Sequence, residues 1–142
     1  MFEIVNQQRK IKIVSHNFKL FVRKSLKLIP ETKGKFLTIA FVSDKKIKEL
    51  NNQFRNKNSV TDVLSFIYEA DGFETDENYL GDIIISVEQA KKQALENDLN
   101  LDLEIKQLIL HGILHLCGYD HETDKGEMNE LELKLRDKLG IN

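Results

Sequence analysis

The stretch HGILHLCGYDH, residues 111–121, contains three of the four histidines of the chain. His111 and His115 are four residues apart, so on a helix they lie one turn apart on the same face, where their imidazole rings can bind one metal ion. Gly118 follows three residues after His115, and glycine readily adopts the left-handed conformation that ends a helix and turns the chain back. That turn would bring His121 to the ion as a third ligand.

The spacing of these residues matches the zinc-binding pattern HExxHxxGxxH of metzincin peptidases, with one substitution. Gly112 stands where that pattern has its glutamate. In the peptidases this glutamate is the general base that activates water for hydrolysis. The sequence therefore predicts a zincin-like metal helix that lacks the peptidase base.

Two plainer interpretations of the histidines have to be weighed. An isolated pair four residues apart is often an ordinary core or surface feature, but a third histidine after a correctly placed glycine makes this the weaker interpretation. A closed structural zinc site needs four protein ligands. Cys117 is a poor fourth ligand, because at 100° per residue it lies roughly 120° from His111 and about 160° from His115. We therefore expect an open coordination position and a catalytic metal.

Length and composition predict one domain, residues 1–142, because a chain of 142 residues with 41% hydrophobic residues can bury a single core. The residues after Met1 are too polar for a signal peptide, and no run approaches the roughly 18 apolar residues of a membrane span. We expect a soluble, cytoplasmic protein with no membrane partner. The lone Cys117 cannot form an internal disulfide, which fits a reducing compartment.

The charges are divided unevenly along the chain. Residues 1–60 contain 14 Lys and Arg against 4 Asp and Glu, whereas residues 61–142 contain 7 against 19. Such asymmetry favours a polyanionic partner for the basic half, because a phosphate backbone is bound chiefly by clustered Lys and Arg. A solvated helix face with scattered lysines would explain the same numbers, so the charge division supports a nucleic-acid partner without establishing it.

Hydrophobic periodicity and capping residues predict an α+β fold, in which a mixed four-stranded sheet is packed with helices. Strands are expected at 2–6, with a possible extension at 10–14, and at 35–42, 63–68 and 80–86. Helices are expected at 15–28, 43–55 and 86–97, from Asn100 or Asp102 through the histidines, and in a final segment that ends at Gly140. Capping boxes are expected at Ser86 with Gln89 and at Asp124 with Glu127. The order of the strands cannot be derived.

A second polar constellation surrounds the starts of two strands. The segment RNKNSVTDVLSF contains Arg55, Lys57, Thr61, Asp62 and Ser65, and the segment LGD contains Asp82. Asp62 and Asp82 could equally serve turn and strand-end hydrogen bonding, since aspartate side chains readily bond nearby backbone amides.

At these residues the sequence resembles a known family. FRNKNSVTDVLSF at 54–66, LGDIIIS at 80–86 and HGILHLCGYDH at 111–121, followed by Glu122 and Met128, resemble in the same order the YbeY family of metal-dependent endoribonucleases, also described as rRNA maturation factors. The likeness covers most of the chain from the second strand onward. Many relatives have proline where this chain has Ile67, a difference that affects only the end of a strand.

The resemblance implies a zinc-dependent hydrolase that cleaves single-stranded RNA and acts in rRNA processing, 30S ribosomal subunit maturation and ribosome quality control. It implies one zinc ion bound by His111, His115 and His121, and Arg55 as the catalytic, basic residue of an RNA-facing cleft. The expected partners are single-stranded RNA, chiefly rRNA, and the small ribosomal subunit or its assembly factors; DNA is not expected. Further RNA-binding or ligand-orienting candidates are Lys57, Thr61, Asp62, Ser65, Asp82 and Asp120.

Several alternatives remain open at this point. A zincin-like metallopeptidase would share the histidines, and a non-catalytic ribosome-assembly factor could use the metal only for folding. Three imidazoles also suit nickel or another divalent metal. Asp120 and Glu122 flank a histidine and could act as general base or orient a ligand. The sequence predicts neither the cleavage site nor the oligomeric state.

Overall fold

The computed structural model describes residues 1–68, 78–119 and 126–142. The strands are β1 (Phe2–Asn6), β2 (Phe36–Val42), β3 (Val63–Ile67) and β4 (Tyr79–Ser86). The helices are α1 (His16–Leu28), α2 (Asp44–Arg55), α3 (Val87–Glu96), α4 (Leu101–Leu116) and α5 (Glu127–Leu139), with a short 3-10 turn at Pro30–Thr32. The predicted α+β class is confirmed. None of the described helices is long and apolar enough to cross a membrane.

The four strands form one mixed sheet in the order β1-β2-β4-β3. β1, β2 and β4 run parallel, and β3 runs antiparallel to β4. β3 is therefore an edge strand. The amide of Ser86 donates to the carbonyl of Asp62 and the amide of Tyr68 donates to that of Leu80, so the even-numbered residues of this stretch direct their backbone groups toward β4. The odd-numbered residues of β3 direct theirs to the outer edge.

The two faces of the sheet carry different layers. One face holds the main core, in which Ile39 of β2 and Ile83 of β4 pack against α1, α4 and α5. The other face holds a smaller cluster, in which Val42 and Leu64 pack against Ile47 of α2. Side chains alternate between faces along each strand. The helix with the histidines thus lies on the large layer and the helix with Arg55 on the small one.

α4 is the central helix of the main core. Nine of its 16 residues are buried, including the apolar face Ile105, Ile109 and Ile113, each fully inaccessible. Asn100 caps its start, because the Asn100 side chain accepts from the amide of Leu103 at 2.8 Å. This extensive burial fixes the position of α4 and therefore of the two histidines that it contains.

The possible strand extension at 10–14 is wrong. No strand is assigned there, because the Gln8 side chain bonds the backbone of Ile11 in both directions, with its Nε2 donating at 2.8 Å and its Oε1 accepting at 3.0 Å. The amide and carbonyl of Ile11 therefore bond a buried side chain, whereas a strand at 10–14 would need them to bond a neighbouring strand.

Only part of the predicted capping at the helix starts is observed. The amide of Gln89 donates to Ser86 Oγ at 3.3 Å, but the Gln89 side chain bonds the Asp44 carboxylate at 3.1 and 3.2 Å and does not return to the cap. The predicted cap at Asp124 lies outside the described residues, and Gly126 stands at the start of α5. Gly140 ends α5 with φ of 70°, as predicted.

Candidate active site

The end of α4 turns back at the predicted glycine. Gly118 has φ of 93°, its amide donates to the carbonyl of His115 at 3.0 Å, and the amide of Tyr119 donates to that of Leu114 at 3.1 Å. This pair of bonds is the Schellman motif, in which a left-handed residue stops a helix and reverses the chain. The described chain, through Tyr119, therefore reverses at the glycine that the sequence pattern predicted as the end of the helix.

His111 and His115 lie side by side on an accessible face of α4. Their Nε2 atoms are 3.0 Å apart, and their ring centroids are 4.5 Å apart. Two nitrogens at this separation can both reach one ion at the roughly 2.0–2.1 Å of a Zn–N bond. The donor set fits the predicted metal, because both groups are imidazoles and both direct the same ring atom to one point.

Glu132 of α5 holds one of these rings in place. Its Oε1 lies 2.7 Å from His111 Nδ1, its Oε2 accepts from Arg136 at 3.3 Å, and the residue is only 6% exposed. In a neutral imidazole, donation from Nδ1 leaves the lone pair on Nε2, the atom that faces His115. Glu132 therefore orients the His111 ring, and the sequence interpretation missed it.

Gly112 allows α4 to lie directly on β4. A Cβ atom at this position would stand 2.7 Å from Ile83 Cγ2 and 3.1 Å from two further Ile83 carbons, and Ile83 is fully buried. Gly81 makes a second close approach, since a Cβ there would meet the carbonyl oxygen of Phe66 at 2.2 Å. The position where metzincins have glutamate therefore faces the sheet in this protein and has no room for that side chain.

A cleft of about 310 Å³ joins the histidines to the second polar constellation. It is lined by Arg55, Asp62, Val63, Ser65, Ile67, His111 and His115. Arg55 reaches this cleft from α2 around the outer edge of β3, where its guanidinium donates to the carbonyl of Ser65 at 3.2 Å. The guanidinium also lies 6.0 Å from the centroid of the Phe66 ring. Arg55, Asp62 and Ser65 thus share one cavity with the two histidines.

Asp62 has a structural bond in addition to its place in the cleft. Its Oδ1 accepts from the amide of Val63 at 2.7 Å and from the hydroxyl of Thr61 at 3.3 Å. This is the strand-start hydrogen bonding that the sequence left as an alternative. Thr61 thus contacts the cleft residue Asp62, but it is not itself among the lining residues.

Asp82 does not join this cleft, contrary to the interpretation that grouped it with Asp62. It alternates with Ile83, which faces α4, and shares its face with Ile84 of the smaller cluster. There its Oδ1 accepts a hydrogen bond from the hydroxyl of Tyr79, which also contacts Thr38 Oγ1 at 2.9 Å. Burial, followed by the bond to Asp82, raises the pKa of Tyr79 to about 12.

Lys57 is exposed and is not among the residues that line the cleft. Its position is set by Asn51 of α2, which is 3% exposed. The carbonyl of Asn51 accepts from the amide of Lys57 at 3.2 Å, and the Asn51 side chain donates to the carbonyl of Ser59 at 3.0 Å. Asn51 thus fixes the segment that follows Arg55. The sequence interpretation missed it, although an asparagine four residues after Ile47, and so on the same face of an amphipathic helix, was a usable signal.

Two predicted site residues, His121 and Asp120, lie outside the described residues. Among residues 1–68, 78–119 and 126–142, no group of three His, Cys, Asp or Glu side chains stands close enough to hold a metal. Cys117 packs against the main core, and burial raises the pKa of its thiol to about 11. The two described histidines are therefore the part of the predicted ligand set whose placement is known.

Comparison with known proteins decides the family. The sequence profile of the family described as Endoribonuclease YbeY matches residues 3–140. The chain belongs to the YbeY family. The match spans all described strands and helices except the first residue of β1, so the cleft and the histidine helix both fall within it.

Curated relatives support this assignment over most of their length. The Endoribonuclease YbeY of Thermodesulfovibrio yellowstonii is 37% identical, with 96% of each chain covered. That of Nautilia profundicola is 50% identical over 75% of this chain and 74% of its own. That of Koribacter versatilis is 40% identical over 97% of this chain and 86% of its own.

A solved structure supports the fold as well. The solution structure of TM1509 from Thermotoga maritima superposes with a TM-score of 0.66 at 29% identity, covering 98% of this chain and 89% of that protein. The α+β architecture described above is therefore shared with an experimentally determined relative.

Proposed function

We propose that this YbeY-family protein is a zinc-dependent, single-strand-specific endoribonuclease that acts in the cytoplasm in rRNA processing, 30S ribosomal subunit maturation and ribosome quality control. Its proposed partners are single-stranded RNA, chiefly rRNA, and the small ribosomal subunit or its assembly factors. The relatives that carry the name Endoribonuclease YbeY support the nuclease activity. The lone cysteine fits a reducing compartment.

The single observation that supports this proposal most strongly is the shared cleft. Arg55 from one side of the sheet and the histidine pair from the other line one cavity of about 310 Å³. A guanidinium offers a planar fork of donors that fits phosphate oxygens, and it can stabilise charge that develops on a phosphoryl group. A metal-binding pair opposite an arginine is an arrangement suited to phosphodiester hydrolysis.

The proposed ion would be held by His111, His115 and His121. When bound, zinc supplies a Lewis acid and makes water nucleophilic near neutral pH. Glu132 keeps the His111 ring in the tautomer and orientation that such a ligand needs, through the 2.7 Å contact with Nδ1. Arg55 binds the phosphate, and its bond to the Ser65 carbonyl sets the direction from which the guanidinium enters the cleft.

The same geometry disfavours the metallopeptidase alternative. A glutamate base at position 112 would have to project into Ile83 of β4, where a Cβ atom alone already approaches to 2.7 Å. Among the described residues that line the cleft, Asp62 has the one carboxylate, and its Oδ1 accepts from the amide of Val63.

The decisive experiment compares two substrates and two histidine variants. Purified protein is incubated with zinc and either single-stranded RNA or an unfolded polypeptide, and products are separated by electrophoresis. His115→Ala should abolish RNA cleavage and lower the zinc content measured by elemental analysis. His16→Ala is the matched control, since His16 is exposed on α1, away from the cleft, and it should leave both quantities unchanged.

Three results would count against the proposal. Cleavage of polypeptide with RNA intact would favour a peptidase. RNA binding that persists in His115→Ala, with no cleavage by any variant, would favour an assembly factor with a structural metal. Full zinc content in His115→Ala would remove that residue from the metal site.

A further inference from the structure

Phe54 is exposed where the sequence pattern would bury it. It continues the apolar stripe of α2 that begins with Ile47 and Leu50, yet it is 59% exposed, whereas Ile47 is completely buried. A large apolar side chain left in water at the end of a helix gains little for folding. Its position directly before Arg55, which lines the cleft, suggests a role in binding.

Phe54, Arg55 and Phe66 form one surface, called here the Phe54 platform. The Phe54 and Phe66 rings have centroids 5.4 Å apart with an interplanar angle of 60°. The Arg55 guanidinium lies 6.0 Å from the centroid of the same Phe66 ring. The Phe66 ring therefore lies next to both Phe54 and Arg55, and most of the Phe54 side chain is exposed to solvent.

Arg55 connects this platform to the cleft. It lines the cavity with the histidines, and its guanidinium also lies 6.0 Å from the centroid of the Phe66 ring. A phosphate bound by Arg55 would bring the nucleoside attached to it next to Phe54. The platform thus lies where a base neighbouring the scissile phosphate would emerge from the cleft.

The surrounding charge favours a polyanion over an apolar protein partner. Residues 44–57 contain five Lys and Arg against two acidic residues. One of the two, Asp44, is engaged by Ser86 Oγ at 2.6 Å and by Gln89. An exposed aromatic ring beside clustered positive charge is the combination by which proteins bind single-stranded nucleic acid, since every base has a face on which a ring can stack.

We propose that Phe54 is a nucleobase-stacking residue that binds an unpaired base next to the scissile phosphate. This inference rests on the proposed function, and it names the group that would make the site prefer single strands. In a duplex the faces of the bases are covered by their neighbours, so that Phe54 has nothing to stack on. A single strand can turn one base out of its stack and place it on the platform.

The test measures binding of RNA to full-length protein in the presence of a chelator, so that no cleavage intervenes. Phe54→Leu keeps an apolar side chain but removes the ring, Phe54→Trp keeps a stacking surface, and Leu95→Ala is the control at a 77% exposed position on α3. Phe54→Leu should weaken the binding of single-stranded RNA about 5- to 100-fold, the range expected for one base–aromatic stack. Phe54→Trp should restore binding, and Leu95→Ala should not change it.

Two further measurements distinguish the loss of base stacking from a general loss of protein structure. Abasic substitutions along the RNA should reveal one position where loss of the base weakens binding to wild-type protein, and Phe54→Leu should be insensitive to that same substitution. With 2-aminopurine at that position, binding to the wild-type protein should quench its fluorescence, a readout that needs no mutation.

The outcomes distinguish this inference from the proposed function. If wild-type protein cleaves RNA but Phe54→Leu binds it normally, or if no abasic position stands out and 2-aminopurine is not quenched, the stacking role is wrong and the nuclease remains. If wild-type protein neither binds nor cleaves RNA, both fail. Equal weakening by Phe54→Leu and Phe54→Trp would assign Phe54 to packing against Phe66 and overturn the inference.

Discussion

The two faces of the sheet contribute to the cleft in different ways. On the large layer, the histidines sit on a helix held by glycine contacts with the sheet and by a buried carboxylate from α5. On the small layer, Arg55 is an exposed side chain at the end of α2 whose guanidinium bonds a backbone carbonyl of the edge strand. The histidine side of the cleft is therefore preorganised, while the arginine side is adjustable.

This difference follows from the sheet order. Because β3 is the edge strand, a side chain from the small layer can pass around it and meet residues from the large layer. A central strand would keep the two layers apart. The edge position of β3 is thus what allows one cleft to combine the histidine pair of a buried helix with an exposed arginine.

Arg55→Ala tests the adjustable side and should have the largest effect among the variants considered in this comparison. Loss of one donor that stabilises transition-state charge costs about 3 kcal/mol, or roughly 100-fold in kcat. Zinc content and thermal stability should stay at wild-type values, because Arg55 is exposed. Kinetics with a fluorogenic single-stranded RNA would measure the change.

Lys48→Ala is the matched control for Arg55→Ala, since it removes the same charge from an exposed position of α2 outside the cleft. Arg55→Lys should recover only part of the activity, because an ammonium lacks the planar fork. Equal losses in Arg55→Ala and Lys48→Ala would mean that Arg55 contributes charge to the surface and does not act within the cleft.

Glu132→Gln tests the rigid side. The buried carboxylate orients His111, and loss of such a partner typically costs about 10- to 100-fold in metal affinity or activity. Zinc affinity can be measured by competition with a chromophoric chelator. Glu130→Gln, at an exposed position of the same helix, should retain full affinity. Wild-type affinity in Glu132→Gln would show that the negative charge of Glu132 has no part in zinc binding.

Glu132 also shows what sequence reasoning could and could not find. Its partner His111 is 21 residues away along the chain, and no local pattern pairs them. A signal existed, since Glu132 comes four residues after Met128 and three before Leu135, both buried on the stripe of α5. A carboxylate within an apolar stripe indicates a buried hydrogen-bonding or charged partner, because an unpaired buried charge is costly.

Gly112→Ala tests the contact that positions the rigid side. The added Cβ would meet a fully buried isoleucine at 2.7 Å, and overpacking of this kind costs about 1–3 kcal/mol of unfolding free energy. Urea denaturation would measure it. In an Ile83→Ala background the same change should become neutral or stabilising, because alanine favours helix by roughly 1 kcal/mol over glycine. A similar loss in both backgrounds would place the strain elsewhere.

The helix, its end at Gly118 and the pairing of His111 with His115 could be predicted because each depends on residues within one or two turns. The meeting of Arg55 with the histidines could not be derived in this way, since it depends on strand order. Asp62 and Asp82 show the limit most clearly. Both stand near strand starts in polar segments, but the face each side chain takes depends on register, which the sequence left open.

Asp82 faces away from the cleft, so the loss of its hydrogen-bond partner should have the smallest effect on RNA turnover. Tyr79→Phe removes the hydroxyl bonded to Asp82 on the small-layer face, and RNA turnover and zinc content should not change, because neither residue lines the cleft.

Burial and Asp82 raise the pKa of the Tyr79 phenol to about 12, from about 10 in the unfolded chain. The folded state therefore favours the protonated phenol, so this contribution to stability is complete below pH 10 and is lost as the pH rises from about 10 toward 12. Denaturation midpoints across that range should fall less steeply in Tyr79→Phe than in the wild type. Parallel curves would mean that Tyr79 is not held protonated, and reduced RNA turnover would return the Tyr79–Asp82 pair to the active site.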